Sequence, residues 1–189
     1  MANNKVKFIS TVFLKENTTI EDNVDDNKLV PFIYKVQDIH LQQALGTTFY
    51  EHLKAGVVNN TLTTDETDLI RDYIQNMVAE WTLYESMPFL SNKLTNKSIS
   101  QENSEYSTPS TLDEIKYLRN NVRDIAEFYT KRLTKYMCDN ASLFPKYLNP
   151  DSKENLSKNS KSYFSGIYLP KKGPSNIRSY NDPSDDCNC

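Results

Sequence analysis

The sequence predicts a mainly α-helical fold: a bundle of three long helices and one short helix, with a small β-hairpin element and extended arms at both ends. Three observations lead there. Capping-box pairs, a Thr followed three residues later by Glu, stand at Thr48/Glu51, Thr63/Glu66 and Thr111/Glu114, each ahead of an apolar run. Behind each pair, apolar residues recur every three or four positions, which is the helical period. Strand-like patterning is confined to short pieces with no βαβ alternation, so the apolar stripes must bury themselves helix against helix.

The elements follow in order. Residues 5–15 are rich in β-branched and aromatic side chains and predict a strand or extended arm bounded by lysines. Asn17 to Asn27 is polar and acidic, a loop whose end offers Asp25, Asp26 and Asn27 as caps for a helix from about Lys28 to Leu45, with Pro31 placed in its first turn. Leu29, Phe32, Ile33, Val36, Ile39 and His40 make its stripe, and Gly46 closes it. Thr48 opens a short helix ending at Ala55-Gly56, with Phe49 and Leu53 one turn apart. After Thr63, the series Leu69, Ile70, Tyr73, Ile74, Met77, Val78, Trp81 and Tyr84 marks a long helix, stopped near Met87 by Pro88, with Trp81 in the core.

Leu90 to Pro109 loses the helical period, though Lys97 to Ser100 and Glu105 to Ser107 fit a small hairpin. A loop of this length inside a compact domain has a job or a partner. Thr111 then opens the longest helix, to about Asn140. Its stripe is Leu112, Ile115, Leu118, Val122, Ile125, Phe128 or Tyr129, Leu133, Tyr136 and Met137. The other faces alternate in charge (Lys116, Arg119, Arg123, Asp124, Glu127, Lys131, Arg132, Lys135), the pattern of a solvated face or of one that pairs with a neighbouring copy.

Residues 1–150 therefore form one helical domain, and residues 151–189 an extended C-terminal arm in which no apolar period survives and Pro and Gly interrupt every element. Its anchors, Tyr163, Phe164, Ile167, Tyr168, Leu169, Ile177 and Tyr180, are strung between polar residues, with Lys171, Lys172 and Arg178 among them. Ordering each residue costs roughly 1–2 kcal/mol of backbone entropy, so such an arm orders only on a partner or folded back on its own domain.

Composition excludes several functions. Residues 1–90 carry 7 Lys and Arg against 13 Asp and Glu, and the whole chain is net −3, which is not the footprint of a nucleic-acid binder. The N-terminus has no apolar leader and no apolar run reaches membrane-spanning length, so a soluble chain unprocessed by secretion is expected. Cys138, Cys187 and Cys189 build no disulfide framework and are expected as thiols in a reducing compartment. No metal or cofactor is expected: His40 and His52 lie twelve apart, off any helical metal spacing, and His40 is expected as a hydrogen-bonded core histidine. The acidic run Glu21 to Asp26 lacks the Gly and terminal Glu of a calcium loop. Four glycines, at 46, 56, 166 and 173, leave no phosphate cradle or nucleophile elbow. No nucleophile, base and orienter can be assembled, so a non-enzyme is expected.

The segment from Leu29 to Leu53, containing Gln37-Asp38-Ile39-His40 and Leu45-Gly46-Thr47-Thr48-Phe49-Tyr50, resembles the first helices of head-tail connector (adaptor) proteins of tailed bacteriophages, especially the ring proteins of crAss-like phages. Asn96 to Ile99 and Tyr129 to Leu133 fit the same pattern, and the resemblance covers roughly residues 5–150. It implies a subunit of a twelve-fold homo-oligomeric ring beneath the portal protein, at the head-tail interface of the virion, assembled in the host cytoplasm. Such a ring extends the channel through which duplex DNA passes without specific binding, and offers a platform to further tail or ring proteins. Carried over, the arm from Lys161 to Tyr180 docks on the portal or a neighbouring subunit, and the loop bearing Lys97, Ile99 and Tyr106 contacts an adjoining subunit or ring or lines the channel. Two rivals stand beside it. One is a monomeric helical adaptor or regulatory domain that binds one protein partner; the other is a DNA-binding module using Arg119, Arg123, Lys131 and Arg132.

Overall fold

A computed structural model describes residues 5–90, 93–94, 99–100, 112–150 and 156. The fold is mainly helical. The helices are α1 (Thr11–Asn17), α2 (Asp26–Val36), α3 (Gln42–Leu45), α4 (Thr47–Asn59), α5 (Thr64–Leu69), α6 (Gln75–Leu90), α7 (Leu112–Asp139) and α8 (Pro145–Leu148). Two π-helical turns, Gln37–Leu41 and Ile70–Ile74, join α2 to α3 and α5 to α6, so residues 26–45 and 64–90 each form one continuous rod.

The N-terminal segment departs from the predicted strand. Ser10 caps α1 by accepting the Phe13 N–H at 3.0 Å, and Leu14 is fully buried, so packing overrides the β-branched composition. Residues 5–9 ahead of it are irregular and clamped by two glutamines beside the π turns. Gln37, 1% exposed, accepts the Phe8 N–H on Oε1 at 2.8 Å and donates Nε2–H to the Val6 carbonyl at 2.9 Å. Gln75 donates to the Phe8 carbonyl at 3.1 Å. A buried amide tolerates this position because both of its ends are satisfied, and it satisfies a strand-like backbone that has no sheet to join.

Asp25 caps α2, accepting the Asn27 N–H at 2.9 Å. Asp26 takes the Thr11 hydroxyl and the Lys15 ammonium at 2.7 Å each, tying α1 to α2 and holding its carboxyl below the usual range. The helix starts at Asp26, about two residues earlier than expected, which moves Pro31 from the first turn into the second, and it still continues to Val36. Gly46 separates α3 from α4 at φ 78°, a conformation that suits a residue without Cβ.

The Thr48/Glu51 capping box does not form, because α4 starts at Thr47 with Gly46 as N-cap and no side-chain cap bond. Nor does α4 stop at Gly56; it continues to Asn59 and ends on Asn60 in the left-handed region. Gly56 is instead a packing residue, since a Cβ there would stand 2.5 Å from Leu62 Cδ2. The Thr63/Glu66 box is complete, and Glu66 also takes His52 Nε2 at 2.7 Å, joining α4 to α5. Pro88 does not stop the second rod, which ends two residues later at Leu90. Thr111, the third expected cap, lies outside the described residues.

α6 and α7 pack antiparallel. The Tyr73 and Tyr136 rings stack at 4.0 Å, Trp81 donates its indole N–H to Thr130 Oγ1 at 2.9 Å, and the Arg119 guanidinium lies 4.1 Å over Tyr84. A 3₁₀ turn, Ala141–Leu143, leads into α8, whose Tyr147 and the preceding Phe144 pack on Phe49 at 5.8 and 5.6 Å. Lys93–Leu94 (β1) and Ile99–Ser100 (β2) form an antiparallel pair with Leu94 opposite Ile99. The segment expected to partner Ile99, Glu105 to Ser107, lies outside the described residues.

Candidate interaction surface

The site is built on α7, which carries more apolar surface than the core absorbs. Its inward face is Val122, Ala126, Tyr129, Leu133 and Met137, with Ala126, Leu133 and Met137 at 0% exposure. These positions advance by three or four residues and track the groove between α6 and the α2–α3 rod. A second arc, rotated toward solvent, holds Tyr117 (68% exposed), Leu118 (52%), Ile125 (46%) and Phe128 (62%). The expected stripe merged the two arcs: Leu118, Ile125 and Phe128 do not face the core, because α6 covers only one side of α7.

Next to this arc lies an open apolar groove of about 320 Å³. Ile20, Val24, Leu83, Met87, Ile115 and Leu118 line it, so it runs between the loop after α1, the end of α6 and the start of α7. Leu118 belongs to both groove and arc, and the two make one apolar surface. The groove's one carboxylate is Glu21, followed by the exposed Asp22 and Asp25.

The charges flanking the arc are largely engaged within the chain. Arg123 pairs with Asp124 at 3.1 Å and with Glu127 at 3.6 Å, and Lys116 meets Asp113 at 3.4 Å. Arg119 lies on Tyr84 and donates Nε–H to its carbonyl at 3.3 Å, and Arg132 sits 5.0 Å over Tyr73. Three of the four basic residues that a DNA-binding module needs are thus held against the protein's own groups.

His40 is only partly the histidine expected. It stacks on Trp81 with ring centroids 3.8 Å apart, but its Nε2 lies 3.6 Å from Glu85 Oε1, too far for a hydrogen bond. Burial lowers its pKa, against the pull of Glu85. Burial raises the Glu85 carboxyl, yet the Lys35 ammonium at 2.7 Å, together with His40, outweighs that and leaves it lowered. Cys138 is disulfide-bonded, contrary to the expected free thiol; Cys187 and Cys189 lie outside the described residues. Among the described residues no group of three His, Cys, Asp or Glu is placed to hold a metal, and no helix is long and apolar enough to cross a membrane.

Of the predicted partner-binding residues, one lies among the described residues. Ile99 is placed on β2 by its backbone. Lys97, Tyr106 and the arm residues Tyr163, Phe164, Ile167, Tyr168, Leu169, Lys171, Lys172, Arg178 and Tyr180 lie outside the described residues. What sequence reasoning missed is the outer arc of α7. Its signal was present, since Ile125 and Phe128 each sit one position ahead of the inward-facing Ala126 and Tyr129, and Tyr117 precedes Leu118.

Fold and surface together define a mainly helical protein whose described residues present one continuous apolar surface. The chain belongs to a protein family described as a family of unknown function (DUF6712), whose match covers residues 41–156, more than half of its length. No curated protein and no solved structure matches it.

Proposed function

We propose that this protein is a structural subunit of a ring at the head-tail interface of a tailed-phage virion, docking on the portal, extending the DNA channel and presenting a platform to tail components. The observation that carries this reading is the solvent-facing arc of Tyr117, Leu118, Ile125 and Phe128 on the longest helix. Exposed aromatic and aliphatic side chains in one arc are what a buried interface core uses, and isolated chains rarely leave them open without a partner. The segment Leu29 to Leu53, which resembles connector proteins, supports it from the sequence side. In this reading the three long helical stretches form the block that packs side by side, and the C-terminal arm reaches adjoining subunits. A ring subunit meets two neighbours through different patches, and the α7 arc is one of them.

Negative-stain electron microscopy and mass photometry of the full chain, alone and mixed with portal protein, test the reading. Twelve-fold rings are expected with portal. Phe128→Ser should suppress them while leaving the helical circular-dichroism signal unchanged. A chain that stays monomeric with portal present is the monomeric-adaptor outcome and overturns the ring.

A further inference from the structure

Cys138 follows the fully buried Met137 near the end of α7, and it is disulfide-bonded. The chain has two other cysteines, Cys187 and Cys189 in the run Cys-Asn-Cys, so the bond ties the body to one of them and leaves the other as a thiol two positions away. We propose that these three sulfurs form a thiol–disulfide exchange site, in which the spare tail thiol displaces Cys138 and so detaches the tail from its own domain. The proposal does not rest on the ring reading.

The step balances within one chain. The spare thiol loses its proton, and its thiolate attacks the tail sulfur of the bond to Cys138. A Cys187–Cys189 bond forms, the bond to Cys138 breaks, and Cys138 leaves as a thiolate that takes up a proton. One disulfide and one thiol stand on each side, so the step needs no outside oxidant or reductant. Geometry permits the new bond: Cα atoms two residues apart lie within about 7.6 Å and bend closer, which covers the roughly 4.4–6.8 Å that a disulfide spans. Cys138 is half-buried, so solvent reaches the bond.

Exchange also sets how far the tail extends. Leu156 is held on Thr47: its carbonyl accepts the Thr47 N–H at 3.0 Å and its own N–H donates to Thr47 Oγ1 at 3.1 Å. Phe49, two residues on, packs on Phe144 at 5.6 Å, and Phe144 on Tyr136 at 6.3 Å, so Leu156 and Cys138 stand at the same end of α7. With the bond intact, residues 157–186 are a loop with both feet at that end. Tyr180 is seven residues from Cys187 and nine from Cys189, and it then stays within about 30–40 Å of Cys138. With the bond broken its limit is set by Leu156, twenty-four residues back, at about 80 Å. Tethering therefore holds Ile177, Arg178 and Tyr180 near their own domain, and exchange releases them toward a partner.

Two measurements test it. Trypsin divides the cysteines between two peptides, residues 136–146 with Cys138 and residues 179–189 with the other two. Full-length protein purified without reductant is blocked with N-ethylmaleimide, digested and read by mass spectrometry. Two populations are expected: the peptides cross-linked and carrying one blocked thiol, and peptide 136–146 blocked beside peptide 179–189 bridged internally. Three blocked thiols, or either population without the other, overturn the proposal. So does a cross-link that runs as a covalent dimer on a non-reducing gel.

Small-angle X-ray scattering reads the extension. Cys187→Ser leaves Cys138 and Cys189 as the one possible pair and fixes the tether, whereas Cys138→Ser removes it. The untethered chain should have a radius of gyration larger by about 2 Å or more, and equal values overturn the proposal. Where Cys138→Ser folds poorly by circular dichroism, the native chain reduced with tris(2-carboxyethyl)phosphine supplies the untethered state, and the same comparison decides.

Discussion

The indole of Trp81 joins the bundle at its middle, where its N–H donates to Thr130 Oγ1 and its face carries His40. Thr130→Val keeps the volume but leaves the indole N–H without its acceptor, which should cost about 1–2 kcal/mol. The expected readout is a melting temperature lower by several degrees with unchanged far-ultraviolet circular dichroism; an unaltered melt would mean that water replaces the hydroxyl. His40 gives the molecule a pH dependence. Burial holds its pKa below the ordinary 6.5, so in acid the unfolded chain binds the proton more readily than the folded one. Stability is then full above about 6.5 and declines as pH falls below it. Thermal melts across this window should show the decline, and His40→Phe, which keeps a ring on Trp81, should flatten it.

α7 shows how one helix serves two ends. Met137→Ala removes a fully buried side chain and should cost about 3 kcal/mol through lost burial and the cavity left behind. Phe128→Ser changes a side chain that is 62% exposed and should cost under about 0.5 kcal/mol in the isolated chain. A denaturant titration of both variants separates the arcs, since the first should shift the midpoint strongly and the second hardly at all. If Phe128→Ser proved as damaging as Met137→Ala, the outer arc would be core, and the surface drawn here would vanish. The same helix explains what its sequence hid. An apolar arc wider than one neighbour can cover looks like one broad stripe in a linear pattern, and only the placement of α6 decides which part is wet. The capping boxes divide in the same way. Thr63/Glu66 was legible because its bonds are local, whereas Thr48/Glu51 fails because the turn at Gly46 starts α4 two residues early.

For the whole molecule, the last contact between body and tail among the described residues is Leu156 on Thr47. Truncation after Leu156 removes Cys187 and Cys189, the chain's other cysteines, so it should break the Cys138 disulfide and lower the melting temperature of the body as well as abolish assembly with portal. Truncation after Asn149 should in addition lower the melting temperature slightly, by loss of those two hydrogen bonds at about 1 kcal/mol each. Calorimetry and particle counting on the two truncations distinguish a tail that assembles from one that stabilises its own domain.

By itself the sequence determined the helical class, the α2–α3 and α5–α6 rods and most of their buried stripes. Those depend on periodicity and on caps that act within a few residues. It did not determine that residues 11–17 are helical, that Pro88 lies inside a helix, or that Gln37 and Gln75 would reach across to hold Phe8. These outcomes hang on contacts between residues far apart in the chain, where burial and backbone hydrogen bonding outweigh local preference. The groove and the outer arc of α7 are of the same kind. Each exists because of what the neighbouring helices leave uncovered, and that is a property of the packing, which no stretch of sequence carries alone.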